Sequence, residues 1–162
     1  MWLKLAEKTK LFYHATIPEY ADSIEDMQKI ISSLKYKEMT GRSISGWNFQ
    51  DDEIYGYGIY LSNDKELAIY YGFIRLKNYW KELLDSDIDP TNDEDNFYIA
   101  LFTTYVEDPS EIKQLSSEKE FITTSPTIER KNNKIQFSGP EWINMADNLK
   151  QEFSWLFEDG EE

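Results

Sequence analysis

Eleven tyrosines, nine phenylalanines and five tryptophans, set among 162 residues that include no cysteine, constrain this chain more than any other feature. Disordered or linker-like segments do not carry so much ring mass. Without thiols, neither a disulfide framework nor a thiolate metal site is possible. Stability must therefore come from burying rings and aliphatic side chains in a core. The length is enough for one such core and too short to argue for two, so residues 1–162 read as a single domain. No stretch approaches a membrane span, and Glu7 and Lys8 stand where a secretory apolar core would run. The expectation is a cytoplasmic protein without a membrane partner.

The formal charge is -14, with 31 acidic against 17 basic residues. Phosphate contacts need clustered Lys and Arg, so nucleic acid is not the expected partner. The acidic surplus is read first as solubility, and a basic protein as the partner it would suit. Residues 85–96 hold Asp85, Asp87, Asp89, Asp93, Glu94 and Asp95 around Pro90 with no Lys or Arg, and read as a solvated loop. With a single histidine, no histidine-rich metal centre is expected either. Chemistry must rest on carboxylates, hydroxyls, amides and rings.

The run Leu11 to Thr16 reads as a strand, with Pro18 at the first turn of a helix. Tyr20, Ile24, Met27, Ile30, Ile31 and Leu34 follow at helical spacing, which predicts a helix to about Lys35. Gly41 to Asp52 is polar and reads as a loop. Ile54 to Leu61 reads as a strand interrupted by Gly56 and Gly58, where another group can approach the backbone. Asn63 and Glu66 fit a capping box opening a helix that runs towards Leu84. Phe97 to Val106, Phe121 to Thr124 and Lys134 to Ser138 read as strands. Pro140 is read as the start of a last helix with Trp142, Ile143, Met145, Leu149, Phe153 and Leu156 as its apolar stripe, before a frayed tail from Asp159 to Glu162. Strands and helices interspersed without a regular βαβ rhythm predict an α+β domain.

Three segments carry candidate chemistry. The only histidine, His14, lies in Phe12-Tyr13-His14-Ala15-Thr16, just before the first turn. On its own it is more often a packed residue than a functional one. Tyr60 and Tyr71 stand eleven residues apart across a strand-to-helix junction, so both can lean over one crevice and stack on the two faces of a flat ring. Such stacking contributes about 0.5–1.5 kcal/mol and mainly orients a ligand. Glu118 and Glu120 precede a short apolar strand, and strand alternation predicts that both carboxylates border the crevice.

Taken in order, these segments resemble the H-Y-E branch of the ADP-ribosyltransferase superfamily, the branch of diphtheria-toxin-like and poly(ADP-ribose) polymerase-like catalytic domains. The resemblance is carried by Tyr13-His14-Ala15-Thr16 with Pro18, Tyr20 and Asp22-Ser23-Ile24, by Gly58-Ile59-Tyr60, Ser62 to Lys65 and Ala68 to Tyr71, and by Glu120-Phe121-Ile122. It covers about residues 11–124 and is closest to the toxin type. It implies a split β-sheet core with flanking helices, with NAD+ as the substrate. By the same resemblance His14 would bind the adenosine ribose, and Tyr60 and Tyr71 would sandwich the nicotinamide. Ala15, Thr16 and Ala68 would complete the NAD+ site. Ala15 stands where the family has Gly and keeps the backbone groups that grip the carboxamide. Ala68 matches the toxin type, where many polymerases have Ser. Glu120, with His14 and Tyr60, would form the catalytic set, the carboxylate holding the 2′-hydroxyl of the nicotinamide ribose. Glu118 is similar to the first of the paired glutamates of the arginine-modifying branch and would stand on the acceptor side, next to a loop of about residues 107–117. The implied activity is transfer of a single ADP-ribose from NAD+ to a macromolecular acceptor, in the leading reading a protein, in a toxin or effector role. NAD+ hydrolysis is the nearest alternative, and a non-catalytic acidic interaction protein on the same fold is the other.

Overall fold

In a computed structural model of the chain, residues 11–40 and 58–157 are described. The loop expected over Gly41–Asp52, the first part of the strand expected from Ile54, and the tail from Asp159 lie outside them. Among the described residues, eight strands form one hydrogen-bonded sheet flanked by four α-helices, an α+β architecture. The strands are β1 (Leu11–Thr16), β2 (Lys29–Ile31), β3 (Tyr60–Ser62), β4 (Tyr98–Val106), β5 (Ile112–Gln114), β6 (Glu120–Thr123), β7 (Thr127–Glu129) and β8 (Ile135–Asn144), in the order β2-β7-β8-β4-β1-β3-β6-β5. All neighbours are antiparallel except β7 and β8. The helices are α1 (Pro18–Met27), α2 (Ser33–Thr40), α3 (Lys65–Asp85) and α4 (Ala146–Glu152). None of them is long and apolar enough to cross a membrane.

The join between β1 and β3 positions everything that follows. β1 is paired with β4 along its whole length, from Leu11 opposite Tyr105 to Thr16 opposite Ala100. With β3 it is paired only at Tyr13 opposite Ser62. A seam thus runs through the sheet between a long-stranded part and the short strands β3, β6 and β5. Phe12 and Phe121 meet across it edge to face, ring centroids 4.8 Å apart.

The core follows the aromatic composition. β4 is buried over Ile99 to Phe102, and the α3 face made by Ala68, Gly72, Leu76 and Trp80 lies inward. Trp80 packs among Phe97, Phe153 and Phe157, and its ring N–H donates to the Asn96 carbonyl at 2.7 Å. Gly72 is required by close packing. A Cβ there would come within 2.7 Å of the Ala15 methyl and 2.9 Å of Ile99 Cδ1. Gly58 lies so close to the Thr123 carbonyl that no side chain fits, which is the backbone approach its place in a strand suggested.

Several elements depart from the sequence reading. The loop expected over about residues 107–117 holds a 3-10 turn (Pro109–Glu111) and β5, and α2 and β7 lie where no separate element was expected. The first helix ends at Met27 rather than near Lys35, because Gln28 takes a left-handed conformation (φ 57°) and Lys29–Ile31 pair with β7. Ile30 and Ile31 satisfied helical spacing, but as adjacent β-branched residues they are buried in the sheet. The Tyr20 hydroxyl, reaching from α1, donates to the Ile31 carbonyl and accepts from the Ile31 N–H, tying strand to helix. Pro140, read as a helix start, lies inside β8. Leu101 faces Glu141 and Thr103 faces Ser138, so Gly139 and Pro140 together stand opposite Phe102 in a bulge. Gly139 (φ +113°) supplies the backbone angle, and a proline without an N–H is tolerated there. The last helix therefore starts at Ala146, and Trp142 is exposed on the strand while Met145, Leu149 and Phe153 are buried. The acidic stretch 85–96 contains two single-turn 3-10 helices, Pro90–Asn92 and Glu94–Phe97, capped by Asp89 and Asp93.

Candidate active site

A crevice of about 400 Å³ opens at the seam. Its walls come from β1 (Tyr13, His14, Ala15), β3 (Tyr60, Leu61, Ser62), α3 (Ala68, Tyr71, Ile74, Arg75, Asn78) and the β5–β6 hairpin (Leu115, Glu120, Phe121). His14, Ala15, Tyr60, Ala68, Tyr71 and Glu120, singled out from the sequence, line this one cavity. Thr16 does not. It is fully buried two residues beyond His14, its hydroxyl Oγ1 without a hydrogen-bond partner among the described residues.

His14 spans the seam where the backbone ladder stops. Its Nδ1 lies 3.0 Å from the Tyr60 carbonyl oxygen. A carbonyl only accepts, so Nδ1 carries the proton and Nε2 presents its lone pair. Nε2 is buried and has no hydrogen-bond partner among the described residues. Burial, reinforced by the Arg75 guanidinium and opposed by the bond to Tyr60, lowers the imidazole pKa to about 4. At neutral pH the side chain is an uncharged acceptor held at a fixed angle, suited to a ligand hydroxyl.

Helix α3 brings the opposite wall. Asp64, rather than the Asn63 of the expected capping box, is its N-cap, accepting from the N–H groups of Glu66 at 3.0 Å and Leu67 at 3.4 Å. The Lys119 ammonium, 2.9 Å from Asp64 Oδ2, holds that carboxyl below the usual carboxylate range, with the Leu67 N–H adding to the effect. Asn63 instead donates through Nδ2 to the Glu118 carbonyl at 3.1 Å. These links fasten the turn before β6 to the start of α3. Ala68, Tyr71, Arg75 and Asn78 then share one helical face, at steps of three and four residues, turned to the crevice.

Glu120 opens β6 opposite Ser62, and the Tyr71 hydroxyl donates to its Oε1 at 2.6 Å. A phenol and a carboxylate at that distance make a strong, charge-assisted bond. Glu118 is placed differently from expectation. Ser117 to Lys119 form a turn, with the Glu120 N–H bonded to the Ser117 carbonyl at 3.2 Å, so strand alternation does not reach back to Glu118. Its side chain is exposed and outside the lining. Ala15 turns its methyl towards Gly72, so the extra carbon is accommodated by a glycine on α3.

Arg75 and Asn78 were not singled out from the sequence. The signal was present: once Ala68 and Tyr71 are placed on a helix, counting four and seven residues on from Tyr71 reaches both. The assembled site has a neutral acceptor, three tyrosines, a carboxylate and a guanidinium around a partly apolar hollow. Such a set suits a flat ring joined to a polyhydroxylated, anionic body. Comparison with protein-family models, with curated proteins and with solved structures found no match to the chain.

Proposed function

We propose that this chain is an NAD+-dependent mono-ADP-ribosyltransferase of the H-Y-E type, with the seam between β1 and β3 as the division of an ADP-ribosyltransferase-like split sheet. The observation that carries the reading is that His14, Tyr60, Tyr71 and Glu120, spread over more than a hundred residues and four elements, line one crevice. Tyr60 and Tyr71 hold the nicotinamide, and the His14 lone pair accepts from the adenosine ribose. The Ala15 backbone and Ala68 border the ring. Thr16 lies behind this surface and acts on the site only through its place in β1.

Cleavage breaks the bond between nicotinamide and C1′ of its ribose. The electron pair leaves with the ring, which departs as neutral nicotinamide, and the sugar becomes oxocarbenium-like, as in glycoside cleavage. Glu120, fixed at the mouth of β6, bonds the 2′-hydroxyl and stabilises charge that exists only in the transition state. An acceptor nucleophile then adds at C1′ and loses its proton. Stacking and ribose contacts fix the reacting bond in place, which is where orientation lowers the barrier. NAD+ is consumed as substrate, and no step of this chemistry calls on a metal. The acceptor is a protein, approached from the exposed turn that carries Glu118, and its basic surface suits the charge of -14. A toxin or effector role is what the family resemblance implies.

Incubation with NAD+ carrying a labelled adenylate tests this directly. Nicotinamide release together with label on protein supports transfer, while release with free ADP-ribose alone supports the hydrolase. Glu118→Gln should lower transfer and spare hydrolysis, since water needs no acceptor positioning. Absence of both release and any NAD+-induced rise in melting temperature would overturn the enzymatic reading and leave a non-catalytic acidic protein.

A further inference from the structure

Among the described residues lining the crevice, Arg75 and Glu120 are the ones with charged side chains, and they lie at different levels along α3. Glu120 is bound to Tyr71. Arg75 follows one helical turn later, about 6 Å along the axis at 1.5 Å per residue. The crevice therefore holds a carboxylate beside Tyr71 and a guanidinium one turn on. His14 adds no positive charge beside it. It faces Arg75 closely enough to feel its charge, stays neutral, and offers a lone pair that no phosphate oxygen can use.

The surroundings make a cation here informative. A chain with 31 acidic and 17 basic residues repels anions at long range, so an anionic ligand needs a dedicated local partner. A guanidinium supplies one, because its planar donors match two phosphoryl oxygens at once. Asn78, on the same helical face, adds an amide at the same end.

Resting on the reading of the crevice as an NAD+ site, we infer that Arg75 is a diphosphate-binding residue that makes the protein select dinucleotides over nicotinamide ribosides. A ligand whose ring lies by Tyr71 and whose ribose meets Glu120 places its next group, the diphosphate, at the level of Arg75. The second ribose then meets the His14 lone pair. Arg75 is in this view a specificity residue, remote from the bond that breaks.

The test is calorimetric binding of NAD+, ADP-ribose, ADP and nicotinamide riboside to wild type, Arg75→Gln and Arg75→Lys. Arg75→Gln should weaken NAD+, ADP-ribose and ADP by about tenfold or more, the loss expected of a charge-assisted bond, and leave nicotinamide riboside unchanged. Arg75→Lys should fall between, keeping charge and losing the paired geometry. Raising the salt concentration should weaken NAD+ binding in wild type and much less in Arg75→Gln. The sole histidine gives an independent readout: its NMR titration should move to higher pH in Arg75→Gln, since the guanidinium holds it down. Equal weakening of nicotinamide riboside, or unchanged binding of ADP-ribose, overturns the inference. If Arg75→Gln does not fold, the Arg75→Lys ratio between NAD+ and nicotinamide riboside decides by the same rule. Should wild type bind no NAD+, the proposed function fails, and ADP with inorganic diphosphate judges the anion site alone. Binding lost in the Arg75 variants sustains it, and no binding overturns it.

Discussion

On one side of the crevice, β1, β4 and β8 are six, nine and ten residues long, paired over most of their lengths and backed by Leu76 and Trp80. On the other, β3, β5 and β6 have three, three and four residues and are fastened to α3 by single polar links: Lys119 to Asp64, Asn63 to the Glu118 carbonyl and Tyr71 to Glu120. Apolar burial scales with area and tolerates small displacements, whereas a hydrogen bond fixes a distance and contributes little net stability. The long-stranded side therefore sets whether the chain folds, and the short-stranded side sets where the carboxylate sits. Residues on the two sides should fail in different assays.

The largest effect is expected at Trp80. Trp80→Ala leaves a cavity among Phe97, Phe153 and Phe157 and should lower unfolding free energy by about 3–5 kcal/mol in denaturant titrations, while the molecules still folded should keep the proposed NAD+ turnover. Selective loss of turnover without loss of stability would break the comparison. Next comes Glu120→Gln. It should slow nicotinamide release about a hundredfold or more, near 3 kcal/mol in the transition state, with a small change in denaturation midpoint and in NAD+ affinity. Full activity in this variant would sink the proposed chemistry.

His14 sharpens the comparison because it belongs to both sides. Its folded pKa of about 4 lies below the ordinary 6.5, so between these values the unfolded chain binds the extra proton. Stability should then be fully present above pH 6.5 and fall as pH drops towards 4, by about 3 kcal/mol at most for this group. Subtracting the pH profile of His14→Asn isolates it from the carboxylates, and identical profiles would refute a buried neutral imidazole. The smallest effect concerns Gly72. Gly72→Ala gains helix propensity of about 1 kcal/mol yet meets the Ala15 methyl, so a net loss of about 1–2 kcal/mol is expected. Combining it with Ala15→Gly moves the methyl across the interface and should recover part of that loss, whereas additive losses would show that the two do not touch.

How much of this was legible in the sequence depends on whether local pattern or distant pairing decided the outcome. β1 and β4 emerge from their runs of aromatic and β-branched residues, and α3 from its helical spacing. The end of α1 does not, since Ile30 and Ile31 fit a helix locally and only pairing with β7 makes them a strand. Pro140 misleads for a similar reason: a proline that opens a helix and one in a bulge look alike until Phe102 is seen opposite. At the site, His14, Tyr60, Tyr71 and Glu120 were legible as an ordered set. Glu118 was not placed correctly because alternation presumes a strand, and Ser117 to Lys119 turn. Arg75 carries no mark in its residue type, and becomes legible only by counting one turn on from Tyr71 along the crevice face of the helix.

The bond from Tyr71 to Glu120 gives the crevice a resident competitor. A phenol tethered to the helix is present at a high effective concentration and takes one of the carboxylate's lone-pair sites, so a visitor either displaces it or bonds beside it. A guest with a hydroxyl to offer exchanges one bond for another, and a guest without one leaves the carboxylate poorer than it found it. On the proposed reading, the carboxylate thus favours a guest with an alcohol at this point, and a 2′-deoxy analogue of NAD+ would lose the contact on which the transition state depends.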